Sequence, residues 1–176
     1  MGMEQAWLIP ALPVAAAVIL TLVGKYLPRR GDWLSILAIG ASFVIFFFVL
    51  KDLTDALAKG GEFAAVHSGR DWVKFDSFDL RIGFQFDQLA AVMVAVVSFI
   101  SLIVQVYSLG YMKGDKRYGW YYAVQSLFAA AMLTLVLADN FLLLYIAWEG
   151  VGICSFLLIG HYHERRSAAE AAKSLA

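Results

Sequence analysis

Chemistry in this chain centres on one residue. The stretch LYIAWEGVGICSFLLIG, Leu144 to Gly160, is apolar apart from a single carboxylate, Glu149. A carboxyl group in such surroundings can handle protons, because it holds or releases one as a neighbouring charge comes and goes. Tyr145 stands one turn before it, Gly152 and Ile153 one turn after, and Ser155 offers a further hydroxyl. Gly150 and Gly152 remove bulk beside the acid, which lets another helix approach closely. No nucleophile–base pair, metal cluster or phosphate loop accompanies these residues, which argues against a free-standing enzyme. The single cysteine, Cys154, has no disulfide partner and reads as a small packed hydrophobe.

The elements that hold Glu149 follow from composition. Of 176 residues, 61% are hydrophobic and 16% charged, with a mean hydropathy of +0.72. A soluble domain carries roughly 45–50% apolar and about 25% charged residues, so the excess points to lipid. The 14 bases and 14 acids lie almost entirely between the apolar blocks, and no basic face for nucleic acid emerges. Spanning helices need about 20 apolar residues. Five segments qualify, at about 7–27, 33–50, 89–111, 121–138 and 141–159. The expected fold is all-α and integral to the membrane, one transmembrane domain over residues 1–176. Trp7, Trp33, Tyr107, Tyr111 and Trp120 flank the spans, as interfacial rings do.

Charge sets the expected orientation. The front, MGMEQA, has no lysine or arginine and is not a cleavable signal. Lys25 stands at the end of the first span with Arg29 and Arg30 just after it, Lys113, Lys116 and Arg117 follow the third, and Arg165, Arg166 and Lys173 follow the fifth. With the N-terminus outside, all three clusters fall inside. The loop between the second and third spans reads FDSFDLRIGFQFD, where apolar and polar residues alternate with period two. It predicts an outer-surface β-hairpin at about 72–86, with Asp76 and Ser77 in its turn. Asp87 is read as a helix N-terminal charge, Asp139 as the cap of the fifth span, and His161 and His163 as basic surface groups. Ser167 and Glu170 have capping-box spacing and predict a further helix.

Within lipid, the acid is costly. Glu149 follows Phe141 by eight residues, which puts it about 12 Å into a core roughly 30 Å thick. A charge there costs between about 2.5 and more than 10 kcal/mol. Unpaired, the group is neutral; beside a buried cation, it is ionised. No lysine or arginine lies in the interior of any span, so its cation must come from elsewhere.

FDQLAAVM, VYSLGYM and LVLADNFLLLYIAWEGVGICSFLLIG resemble the antiporter-like proton-pumping membrane subunits of respiratory complex I, the NADH–quinone oxidoreductase. The chain is most similar to the distal subunit with a long lateral helix, the L or 5 type, over its N-terminal part only. The resemblance implies that Glu149 modulates a buried lysine during proton translocation, with Tyr145, Gly150, Gly152 and Ser155 as possible support. It implies no cofactor in this chain; flavin, iron–sulfur clusters and quinone belong to partner subunits. It further implies other membrane subunits as partners, and an energy-coupling membrane, bacterial plasma or mitochondrial inner, as the location. The lysine-bearing helices would come from a further segment or a second chain. The chain departs from the family at His161–His163, where an apolar and aromatic run is usual. An Mrp-type sodium/proton antiporter subunit and a non-pumping structural subunit are the alternative readings.

Overall fold

The computed structural model describes residues 6–58, 66–75 and 78–162, and most of them are helical. Five helices follow one another: α1 (Leu8–Val23), α2 (Asp32–Ala58), α3 (Gln88–Tyr111), α4 (Tyr118–Leu137) and α5 (Phe141–Ile159). Strands β1 (Val66–Phe75) and β2 (Phe78–Phe86) lie between α2 and α3 and pair antiparallel, Val66 opposite Phe86 and Phe75 opposite Phe78. Among the described residues, four stretches are long and apolar enough to cross a membrane: Pro28–Asp52, Gln88–Tyr111, Tyr118–Leu137 and Phe141–Tyr162.

The first helix is shorter than the sequence suggested. It has 16 residues, about 24 Å, and ends at Val23 rather than Leu27. Pro28 disfavours helical geometry at the residue before it, and Leu27 is extended accordingly, at φ −77° and ψ 142°. Pro13 lies inside α1 and cannot donate to the carbonyl of Ile9. The hydroxyl of Ser42, fully buried on α2, donates to that carbonyl at 2.8 Å. A proline in one helix is thus matched by a serine in the next.

The turn into α2 is strained. Arg29, Arg30 and Gly31 have φ of 55°, 56° and 79°. Left-handed geometry at a non-glycine residue costs of order 1–3 kcal/mol, so the surroundings must hold it. They do so through Arg30, whose Nη1 donates to the carbonyls of Asp115 (3.2 Å) and Lys116 (2.8 Å) in the turn between α3 and α4.

Helix α4 is the hub, packing against α1, α2, α3 and α5. Of the most apolar stretch of each helix, 50% is buried in α4 but only 11% in α5. The core gathers Ile9, Ile39, Phe46, Val94, Leu133 and Leu137 around Phe86 of β2. Two buried polar contacts link helices. Ser35 of α2 meets Ser126 of α4 at 2.5 Å, and the Tyr122 hydroxyl donates to the carbonyl of Gln105 at 2.9 Å.

The turns sort to two ends of the bundle. The Pro28–Gly31 turn, the α3–α4 turn and the turn at Gly160–Tyr162 share one end, joined by Arg30 and by a bond from Arg117 Nη1 to the carbonyl of His161. At the other end β2 meets the α4–α5 turn, where the amide of Asp139 donates to the carbonyl of Gly83 at 3.2 Å. Asp139 does not cap α5. Asn140 does, its side chain accepting from the amide of Leu143 at 2.8 Å. Asn140 has the extended backbone an N-cap requires, and Asp139, one residue earlier, is left to lie over Gly83. A Cβ at Gly83 would stand 1.8 Å from the carboxylate of Asp139, so only glycine admits this approach. Asp87 caps α3 by accepting from the amide of Ala90 at 2.7 Å. The expected turn at Asp76 and Ser77, the helix begun by Ser167, and His163 lie outside the described residues.

Candidate functional site

Helix α5 carries Glu149, and its two sides differ. Ala147 and Cys154 are its buried residues. Gly150 faces α4, where an added Cβ would meet that of Ala131 at 3.4 Å, so this glycine sets the close approach of the two helices. The other side is bare: Glu149 is exposed, as are Tyr145, Trp148, Gly152 and Ile153. Nothing lies within 4 Å of where a Cβ on Gly152 would stand.

The structure places Tyr145 and Glu149 on the same exposed face, one helical turn apart, so that the phenol stands beside the carboxylate. It does not bring Ser155 to them. That hydroxyl donates to the carbonyl of Val151 in its own helix at 2.8 Å. Among the described residues Glu149 has no cation beside it. The arrangement is a carboxylate beside a phenol on an apolar helix face, with the glycine one turn on leaving a notch for a third group.

A second set of charges lies at the end shared by the basic turns. Asp32, at the start of α2, is 1% exposed. Its carboxylate accepts from the Tyr118 hydroxyl at 2.8 Å and from the amide of Trp33 at 2.7 Å, and pairs with Arg29 at 3.1 Å. Asp115 accepts from the amide of Arg117 at 2.6 Å and meets His161 Nε2 at 3.3 Å. Burial pushes the Asp115 carboxyl up, but the Arg117 amide, the Tyr162 hydroxyl and the His161 ring together hold it below the ordinary carboxylate range. His161 is therefore no surface group. The turn at Gly160–Tyr162 folds its ring edge-on to Tyr121, leaving it 6% exposed.

Sequence reasoning missed Asp32, Asp115 and the serine pairs. An X-Pro step followed by two arginines and an aspartate was a usable signal for the first, since a turn there brings the ions together. The serines gave no signal, because a serine in an apolar helix bonds its own backbone equally well. Gln105 was also unmarked; its amide is fully buried, with neither polar atom partnered among the described residues.

Two family models match consecutive parts of the chain. Residues 72–122 match the N-terminus of chain 5 of NADH–ubiquinone oxidoreductase (complex I), and residues 138–176 match the transmembrane family of NADH:quinone oxidoreductase and Mrp antiporter. The F(420)H(2) dehydrogenase subunit L of Methanosarcina mazei is 45% identical over 97% of this chain and 24% of its own length. The NADH-quinone oxidoreductase subunit L of Mycobacterium tuberculosis is 37% identical over 98% of this chain and 27% of its own. The chain thus spans about a quarter of the length of the curated relatives it matches. Among solved structures, the Mrp complex of a Dietzia species superimposes with a TM-score of 0.69 at 29% identity, over 88% of this chain and 16% of that one. An archaeal membrane-bound sulfane sulfur reductase shares the fold, with a TM-score of 0.75 at 14% identity, over 98% of this chain and 33% of that one. With apolar helices of spanning length and these matches along nearly its whole length, the chain belongs to the antiporter-like membrane-subunit family of complex I-type NADH–quinone oxidoreductases.

Proposed function

We propose that this chain forms part of a proton-translocating membrane subunit, and that Glu149 is its ion-pair carboxylate. One observation carries the reading. Glu149 lies in the middle of a spanning helix, on the face that the rest of the described bundle leaves open. A carboxylate facing lipid there is too costly to keep, so in the assembled protein that face meets another helix. A buried lysine on a further segment or partner chain completes the pair. Loss of the lysine's charge leaves Glu149 to take up a proton, and its return releases that proton. Tyr145 orients the carboxylate, and Gly152 leaves room for the partner.

The rest of the reading follows. Residues 1–176 form one antiporter-like unit with α1 as a fifth span, its length made up by the turns at either end. The basic turns lie inside, the N-terminus and the β1–β2 hairpin outside, in a bacterial plasma or mitochondrial inner membrane. Other membrane subunits are its neighbours, and flavin, iron–sulfur clusters and quinone belong to partners. Relatives named for both NADH and F(420)H(2) share this portion, which supports a role in translocation rather than in choosing the electron donor.

Replacing Glu149 with glutamine keeps the shape and removes the charge. In energised membrane vesicles, the Glu149→Gln complex is expected to assemble and lose proton uptake. Unchanged uptake would exclude the proposal. The Mrp likeness favours a second reading, sodium/proton exchange. Sodium-dependent collapse of a preset pH gradient in the same vesicles separates the two.

A further inference from the structure

At the end shared by the basic turns lies a cavity of about 440 Å³, within the roughly 300–1,000 Å³ range of small-ligand sites. Arg29, Arg30, Lys113, Asp32, Leu109 and Tyr118 line it. We infer that it holds the phosphate headgroup of an anionic phospholipid.

Charge within the cavity is unequally committed. Asp32 is already bound by Arg29, Tyr118 and a backbone amide. The carboxylate of Asp115, also on the wall, is taken by the Arg117 amide and His161. The cations are less occupied. Arg30 spends Nη1 on two carbonyls and keeps the donors on Nη2 and Nε. Arg29 reaches Asp32 through Nη2 alone, and its side chain is 70% exposed. The Lys113 ammonium makes no hydrogen bond to any described residue. Three cations therefore face two carboxylates whose acceptors are in use, and a phosphate would complete the set.

The backbone holds this geometry at a cost. Arg29 and Arg30 occupy consecutive left-handed positions, and strain of that kind clusters where side chains are aimed for a purpose. Location selects a lipid over a soluble phosphate. The cavity sits between the ends of helices that cross the membrane, and Tyr26, Trp33, Tyr107 and Tyr111 stand exposed around that end, as rings at headgroup level do. Leu109 and Tyr118 add apolar wall. Basic pockets between spanning helices are suited to such headgroups.

The test is native mass spectrometry of the whole complex released from nanodiscs of phosphatidylcholine, with and without phosphatidylglycerol. Wild type is expected to retain phosphatidylglycerol, and inorganic phosphate is expected not to displace it. Arg29→Gln and Lys113→Gln should each lower retention about fivefold. Lys113→Arg should restore it. Lys25→Gln removes an exposed base at the same end but outside the cavity, and should change nothing. Equal loss with Lys25→Gln would mean diffuse attraction and overturn the site. Displacement by inorganic phosphate, or no preference for phosphatidylglycerol, would overturn the lipid.

Discussion

The Asp32–Arg29 corner and the Glu149 face of α5 each hold a carboxylate, and the chain treats them in opposite ways. Asp32 is enclosed, and a phenol, an amide and a guanidinium converge on it. Glu149 is open, with one phenol beside it and no cation among the described residues. The first carboxylate is complete within this chain and holds two turns together. The second is incomplete, in the place where incompleteness is most costly. An acid whose partners are all at hand is architecture; one left without a cation at mid-membrane is, on the proposed function, the part that changes state.

That contrast can be broken most decisively by swapping the outcomes. Glu149→Gln is expected to abolish translocation while leaving the thermal midpoint of the complex unchanged. Asp32→Ala should do the reverse. It strips the acceptor from Tyr118 and from the first turn of α2, costing about 1–3 kcal/mol of stability, with protons moved per electron unaltered. Calorimetry alongside vesicle assays reads both. If Asp32→Ala uncoupled the pump without destabilising it, the corner would belong to the proton path.

A smaller effect is expected at Ser42. Ser42→Ala leaves the Ile9 carbonyl below Pro13 without its donor, a loss of about 1 kcal/mol, measurable as a lower unfolding midpoint in detergent. Ser155→Ala, whose hydroxyl bonds only its own helix, should fall within about 0.5 kcal/mol of wild type. A larger loss there would tie Ser155 to the Glu149 face after all.

The smallest effect is a pH dependence at the Asp115–His161 contact. The Asp115 carboxyl is held below its ordinary value in the folded chain. Its contribution is therefore present above the unfolded value, near pH 4, and fades as pH falls through the folded one. Asp115→Asn should remove that acid limb from the stability profile. An unchanged limb would assign it to other carboxylates.

Much of the architecture was legible because hydrocarbon leaves few options. Span positions follow from apolar length, and α5 occupies the expected residues, 141–159. Asp87 was legible as a helix start because an acid before an apolar run has few other uses. The α1 boundary is signalled as well, because Gly24, Lys25 and Pro28 all oppose a continuing apolar helix. What could not be read depends on helix rotation. Whether Gly150 or Gly152 faces α4 rests on about 200° of turn, and sequence does not fix it. Asn140 and Asp139 are both good caps, and a one-residue difference in where the helix begins decides between them. His161 needed its turn to be seen before its burial could be known.

In the proposed assembly the open face of α5 is covered, and there Glu149 finds its cation. The most direct measurement places a cysteine in the notch, Gly152→Cys, and labels it with a membrane-permeant maleimide in intact and in denatured complex. Cys154 is buried within the bundle and supplies the background, read from wild type. Protection in the intact complex and full labelling after denaturation are expected. Equal labelling in both would show this face open to water in the intact complex and contradict the proposed assembly.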